Sequence, residues 1–290
     1  MMDVEEILHY EKNYNDYIEF LKINNKSYNT LKEYNSIISL MLNFIKKSAK
    51  DMNYDDINRY LAYLTIDKKM AKASIYLHVI AIQSFLKFFN NDLYKKLNAP
   101  KRSKKLPTYL NSEEAHTLIE YSRKSRKGYA MICLLTYTGV RVSELCKLKI
   151  EDLDLNEGVI QIRSGKGDKD RIVVIEDKTI KALNDYLKER MKRHIVSDYL
   201  FYSIKNKDTP ISSVTVERYI KKAAKESGII KKVTPHVLRH TFATTLLKNG
   251  ADIRFIQKIL GHSNISTTEL YTHIDNKALQ DVYKRSKPKY

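Results

Sequence analysis

Three short runs gather residue types that handle phosphate. The first is Thr234-Pro235-His236-Val237-Leu238-Arg239-His240. Thr234 is suited to cap a helix and Pro235 to fill its first turn. His236 and Arg239 stand three apart and so share a helical face. A histidine beside a permanent cation, at a helix N-terminus whose dipole favours anions, forms a phosphate-binding arrangement. A lone histidine on a helix is otherwise most often structural. His236 and His240, four apart, also have the spacing of a zinc pair. Val237 stands where a zinc protease carries its glutamate, and no acidic third ligand follows, so no metal is expected. The second run is Thr138-Gly139-Val140-Arg141-Val142-Ser143-Glu144-Leu145. Arg141 follows a glycine turn. Glu144, one helical turn later, either holds its guanidinium in place or makes an ordinary i, i+3 ion pair. In the third run, Leu260-Gly261-His262 leads through Ser266-Thr267-Thr268-Glu269-Leu270 to Tyr271-Thr272-His273. It reads as a glycine-terminated helix, a histidine, and a tyrosine nine residues on. One tyrosine among 21 means nothing alone; its place in the run is what matters.

The elements that must hold these runs can be read from periodicity. Residues 1–90 contain neither glycine nor proline and read as helical. Ile7, Leu8, Tyr14, Tyr17, Ile18 and Leu21 fall near one helical face. Ser27 or Asn29 caps a second helix, with Leu31, Tyr34, Ile38, Leu42 and Ile45 spaced for burial. A third helix covers Asp55 to Leu64. A fourth covers Ala73 to Phe89, with Ile75, Val79, Ile82, Leu86 and Phe89 as its stripe. Four such helices make a small bundle. Residues 98–108 then bring two prolines and a run of cations without apolar periodicity, which describes an extended linker. Asn111-Ser112-Glu113-Glu114 opens a helix with acids in its first turn, and a longer apolar helix follows through Ile132 and Leu135. Val159–Ile162 and Ile172–Ile175 flank a basic turn, 164–170, and read as a β-hairpin. Everything beyond residue 178 reads as helix. Within it, residues 213–227 present Arg218, Lys221 and Lys222 on a helix of a size that a major groove accepts. A solvated face accounts for the same cations.

Composition narrows the partners. The chain has 290 residues, enough for two domains, and 43% hydrophobic residues, enough for a core. It carries 52 Lys+Arg against 34 Asp+Glu, a formal charge of +18. Residues 1–98 hold 14 of the cations and 12 of the acids; residues 99–290 hold the other 38 and 22, a net of +16. A strong positive field in the second part points to a polyanion, and nucleic acid before others. The two cysteines, Cys133 and Cys146, sit among apolar residues and read as buried thiols in a reducing compartment. No stretch approaches the length of a membrane span, and Met1 to Glu11 is acidic without a signal-peptide core, so a cytosolic protein is expected.

Taken together, the three runs resemble the tyrosine recombinases of the lambda-type integrase family, and within it the Xer-type enzymes. The resemblance rests on Thr138-Gly139-Val140-Arg141 with Ser143-Glu144-Leu145, Lys166 in the hairpin turn, His236-Val237-Leu238-Arg239-His240-Thr241-Phe242-Ala243, Leu260-Gly261-His262, and Ser266 to His273. Order and spacing agree across residues 110–283. The chain ends Ser286-Lys287-Pro288-Lys289-Tyr290, unlike the His-Pro-Arg-like tail of Xer-type chains.

The resemblance implies a mainly α protein. Residues 1–97 would form a helical, SAM-like core-binding domain, 98–108 a linker, and 109–290 a mainly helical catalytic domain with a small antiparallel sheet. It implies site-specific cleavage and rejoining of double-stranded DNA through a 3′-phosphotyrosine, without cofactor. Tyr271 would be the nucleophile, Arg141, Arg239 and His262 the phosphate donors, His236 the orienting base and Lys166 the acid for the 5′ oxygen. Four protomers would assemble on two sites, with room for a second recombinase, and would resolve chromosome or plasmid dimers. A mobile-element integrase shares this chemistry, and a catalytically silent DNA-binding module is the rival from another class. Beyond Tyr271, Ala278, Leu279, Val282 and Tyr283 share one face of a short helix that docks either on its own domain or on a neighbour.

Overall fold

The computed structural model describes residues 14–101, 108–163, 170–261, 285–288 and 290. The chain divides into two compact units, Met1–Lys105 and Leu106–Tyr290.

The described part of the first unit is helical, and its helix boundaries follow from its caps. Helix α1 (Tyr14–Ile23) is followed by α2 (Tyr28–Ile45), which starts where the Ser27 side chain accepts the Thr30 N–H at 3.2 Å. It ends on Lys46 in the left-handed conformation. Helix α3 (Tyr54–Ala62) opens on a reciprocal Asn53–Asp56 box and runs on into a π-helical turn, Tyr63–Asp67. Helix α4 (Lys72–Phe88) follows. The expected stripes are the buried ones: Tyr17 and Leu21, Ile38 and Leu42, Val79, Ile82 and Leu86 enter a single core. Tyr17 meets Phe85 edge-on at 5.2 Å there. Ile7 and Leu8 lie outside the described residues.

The second unit is organised around one helix. After α5 (Ser112–Ser122), capped by Asn111 and Glu114, α6 (Arg126–Thr138) is buried from Gly128 to Thr138. A helix apolar on all sides must run through a core rather than over it, and α6 packs against the later helices on several sides. Short α7 (Val142–Lys147) leads to a three-stranded antiparallel sheet of β1 (Leu153–Asp154), β2 (Val159–Ile162) and β3 (Arg171–Val174), in that order. The hairpin expected from sequence is present, with Ile162 paired to Arg171. It gains β1 as a third strand, and β3 begins one residue earlier than its apolar run.

Among the described residues four helices follow: α8 (Asp177–Lys192), α9 (Ser213–Glu226), α10 (Pro235–Lys248) and α11 (Ile253–Leu260). The expectation of helix throughout this region is corrected at 193–212 and 227–234. Chain reversal starts at His194, with φ +50°. The carbonyls of Ser197, Tyr199 and Leu200 accept from the buried Arg190 guanidinium instead of from helical N–H groups. Isolated bridges Lys149–Tyr199 and Tyr202–Pro210 complete the segment. A charged side chain that satisfies three carbonyls removes the need for a helix there.

At the far end, the Tyr290 ring packs at 5.6 Å from that of Tyr137, and its hydroxyl lies 3.3 Å from Thr245 Oγ1. Burial pushes this phenol up to about 12. Tyr290 thus rests on its own unit. The expected Ala278–Tyr283 helix lies outside the described residues.

Candidate active site

Arg141 is placed by a left-handed turn at Gly139, where the surroundings as well as the φ select glycine. Helix α6 ends on Gly139, with φ +64° and its N–H bonded to Leu135 O at 3.2 Å. A β-carbon here would be strained by the φ and would run into the Phe242 ring and Leu260. The tight turn delivers Arg141 to the start of α7, where the Glu144 carboxylate accepts its backbone N–H at 2.7 Å and its Nη1 at 2.9 Å. Glu144 also takes a bidentate pair of bonds from Arg171, both 2.8 Å. Burial alone would raise the Glu144 carboxyl. The hydrogen bonds from Arg171 and from the Arg141 backbone, with the two guanidinium charges, hold it below the ordinary carboxylate range.

Arg239 enters from α10. Thr234 caps that helix by accepting the Val237 N–H at 3.2 Å, and Pro235 fills its first turn, as the sequence indicates. Arg239 is 8% exposed. It donates to Gly139 O at 2.7 Å and to Leu260 O at 2.6 Å. His236 is exposed, and its ring meets that of His240 edge-on at 4.7 Å. Burial, then the His236 and Arg239 charges, lower His240 below the ordinary histidine value and favour its neutral form. Among the described residues, no group of three His, Cys, Asp or Glu side chains is placed to hold a metal.

The C-terminus of α11 is where these side chains meet. Three successive carbonyls each accept from a different arginine: Ile259 O from Arg171 Nε at 2.9 Å, Leu260 O from Arg239, and Gly261 O from Arg141 Nη2 at 2.5 Å. These are the orphan acceptors of a helix end, where the macrodipole favours cations. Arginines from the N-cap of α7, from β3 and from α10, far apart in the sequence, thereby form one cationic cluster. It sits at the point from which the chain continues to His262 and Tyr271.

Residues 108–278 match the phage integrase family, and residues 14–98 its N-terminal SAM-like domain. The chain belongs to the phage integrase family. Among curated relatives it is 38% identical to the tyrosine recombinase XerA of Pyrococcus furiosus, covering 93% of this chain and 92% of that one. It is 43% identical to a XerA recombinase of known crystal structure, covering 96% and 99% of the two chains with a TM-score of 0.53. It is 26% identical to the XerH recombinase in its pre-cleavage complex with difH substrate, covering 87% and 78% with a TM-score of 0.66. The protein is a tyrosine site-specific recombinase of Xer type.

In this recombinase Arg141 and Arg239 belong to the cluster, and His236 lies three residues before Arg239 on α10 with its ring against His240. Lys166, His262 and Tyr271 lie outside the described residues. Arg218, Lys221 and Lys222 are exposed on α9, and Lys222 stands 3.9 Å from Glu226. Both thiols are buried and raised, Cys133 to about 12 and Cys146 to about 11, which keeps them protonated. Among the described residues, no helix is long and apolar enough to cross a membrane.

Sequence reasoning misses Arg171, which falls between the basic turn and the apolar run that begins at Ile172. The signal lies in strand alternation: Arg171 shares a face with Val173, which is buried. A cation in register with the buried face of a strand needs a partner.

Proposed function

We propose that this recombinase cuts and rejoins double-stranded DNA at a specific site through a 3′-phosphotyrosine on Tyr271. The phenolic oxygen of Tyr271 attacks the scissile phosphorus. The bond to the 5′ oxygen breaks, and that oxygen takes a proton from the Lys166 ammonium. His236, exposed at the N-terminus of α10, orients the nucleophile and accepts its proton. Charge that builds on the non-bridging oxygens is met by the forked donors of Arg141 and Arg239 and by His262. Each such donor is worth about 3 kcal/mol of transition-state stabilisation, by the measure of oxyanion-hole deletions. The bond energy stays in the covalent link, so the reverse attack by a 5′ hydroxyl needs no nucleotide cofactor.

The observation that carries this reading is the convergence of Arg141 and Arg239 on the end of α11. Two permanent cations are held there, one residue before His262 and ten before Tyr271. A silent binding module would have no need to lock arginines against this one helix end.

The wider assignment extends the same proposal. Residues 1–97 act as the core-binding domain, 98–108 as the linker and 109–290 as the catalytic domain. Arg218, Lys221 and Lys222 contact DNA. Four protomers join two sites in the cytoplasm, and the product is the resolution of chromosome or plasmid dimers.

A nicked suicide substrate, which loses its short 5′ fragment after cleavage, tests the reaction. The unaltered chain should form a covalent adduct, and mass spectrometry should place the nucleotide on Tyr271. Tyr271→Phe should bind the site and form none. An adduct on another tyrosine in the Phe variant would overturn the assignment.

A further inference from the structure

We infer that Arg171 is a positioning residue for strand cleavage: it binds the Glu144 carboxylate so that this acid does not cancel the positive charge that Arg141 offers the phosphate. The inference rests on the proposed reaction and adds a residue that carries no part in it there. Every nitrogen of the Arg171 guanidinium has an assigned acceptor. Nη1 and Nη2 fork onto the two Glu144 oxygens at 2.8 Å, and Nε reaches Ile259 O at 2.9 Å. The side chain is 11% exposed, so water screens these contacts poorly. Gly261 makes the approach possible: with φ +64°, a β-carbon on it would lie 3.1 Å from Arg171 Nη1 and 3.3 Å from its Cζ.

The charge count decides what this geometry does. Arg141 and Glu144 by themselves form a neutral pair, because Glu144 Oε1 accepts from Arg141 Nη1 at 2.9 Å. A neutral pair attracts a phosphodiester weakly, and the carboxylate repels it. With Arg171 on the same carboxylate, the three groups sum to one positive charge, and Arg141 is the more exposed of the two arginines. The positive charge therefore faces the solvent side, where an anion arrives. The Nε bond to Ile259 adds a second effect. It ties β3 to the end of α11, the same helix end that Arg141 and Arg239 hold.

The test uses the full-length chain and single-turnover cleavage of a nicked suicide substrate at saturating protein. Arg171→Gln leaves Glu144 to neutralise Arg141. Cleavage should fall by about 100-fold, the scale of a lost oxyanion donor, while half-site binding holds. Two further measurements separate this from loss of structure. The first is Glu144→Gln in the Arg171→Gln background. It removes the compensating carboxylate and should recover most of the lost rate. The second is a substrate with a methylphosphonate at the scissile position, which carries no negative charge there. On it the Arg171→Gln defect should largely disappear, whereas a disordered site would be equally poor on both substrates. Normal cleavage by Arg171→Gln would overturn the inference, as would an equal loss on both substrates or no recovery in the double variant. If the unaltered chain formed no adduct, the proposed reaction would fail and this inference with it. Adduct from the unaltered chain with an indifferent Arg171→Gln refutes the inference alone.

Discussion

Asp56 in the first unit and Glu144 in the second are built from the same local device and do different work. Each sits three residues into a helix, accepts the N–H of the residue that precedes it, and binds two cations. The Asp56 side chain is 1% exposed and that of Glu144 9%, and each carboxyl is held below the ordinary range. The difference lies in the cations. Asp56 is bound by Arg59, 72% exposed, and by the half-exposed Lys47, both of which water would serve equally well. Glu144 is bound by Arg171 and Arg141, which are also committed to the carbonyls of α11. The first acid closes a helix start. The second joins a helix start, a strand and a helix end that are remote in sequence. A shielded carboxylate reveals its role through what its partners hold, not through its own shielding.

The largest expected effect comes from deleting the two acids. Glu144→Ala leaves the nearly buried Arg171 guanidinium without its carboxylate and should destabilise the second unit by about 3–5 kcal/mol. Asp56→Ala releases cations that remain hydrated and removes chiefly a cap, at about 1–2 kcal/mol. Hydrogen exchange resolved along the chain reads the two units separately. Equal losses would remove the distinction drawn between the sites.

The left-handed helix ends offer a second contrast. Gly139 and Lys46 both end helices at φ near +60°. Gly139→Ala should cost at least about 1–2 kcal/mol from the backbone alone, more from the collision with Phe242, and should depress cleavage because Arg141 follows. Lys46→Gly should instead stabilise the first unit by up to about 1 kcal/mol and leave cleavage unchanged. Denaturation midpoints with single-turnover rates check both halves. A harmless Gly139→Ala would show that the turn has room to relax.

Acid should act on both carboxylates with the same sign. A depressed folded value means that the unfolded chain binds the proton more readily. Each group then contributes stability above its unfolded value, and this is lost as pH falls through the lower folded one. Unfolding free energy should therefore decline below about pH 4 in both units. Glu144→Gln should flatten that decline in the second unit and leave the first as it was. A slope unchanged by the substitution would mean that other acids carry it.

The smallest effect concerns α9. Replacing Arg218, Lys221 and Lys222 by Gln should make DNA binding less sensitive to salt. The logarithmic slope should shrink by about 0.9 for each phosphate that is no longer neutralised. Replacing the exposed Lys22, Lys26 and Lys32 of the first unit is the comparison. If the two triple variants have the same slope, the cations of α9 are a solvated face.

Whatever depends on near neighbours is legible along the chain. Helices α2, α4 and α10 were legible because a cap and an apolar stripe are local properties, read from Ser27, from Val79 to Leu86, and from Thr234-Pro235. The hairpin was legible from its two apolar runs. The candidate site residues Arg141, His236 and Arg239 could be named from motifs that resemble a known family. Tertiary structure alone decided which backbone groups those arginines would meet. Segment 193–212 is not helical because Arg190, from the preceding helix, takes its carbonyls. Arg171 joins the site because β3 turns it inward onto Glu144, which is 27 residues earlier in the chain. The carbonyls of Ile259, Leu260 and Gly261 became the meeting point for the same reason. A guanidinium binds whatever acceptors the fold brings within hydrogen-bond reach, and no spacing along the chain records that distance.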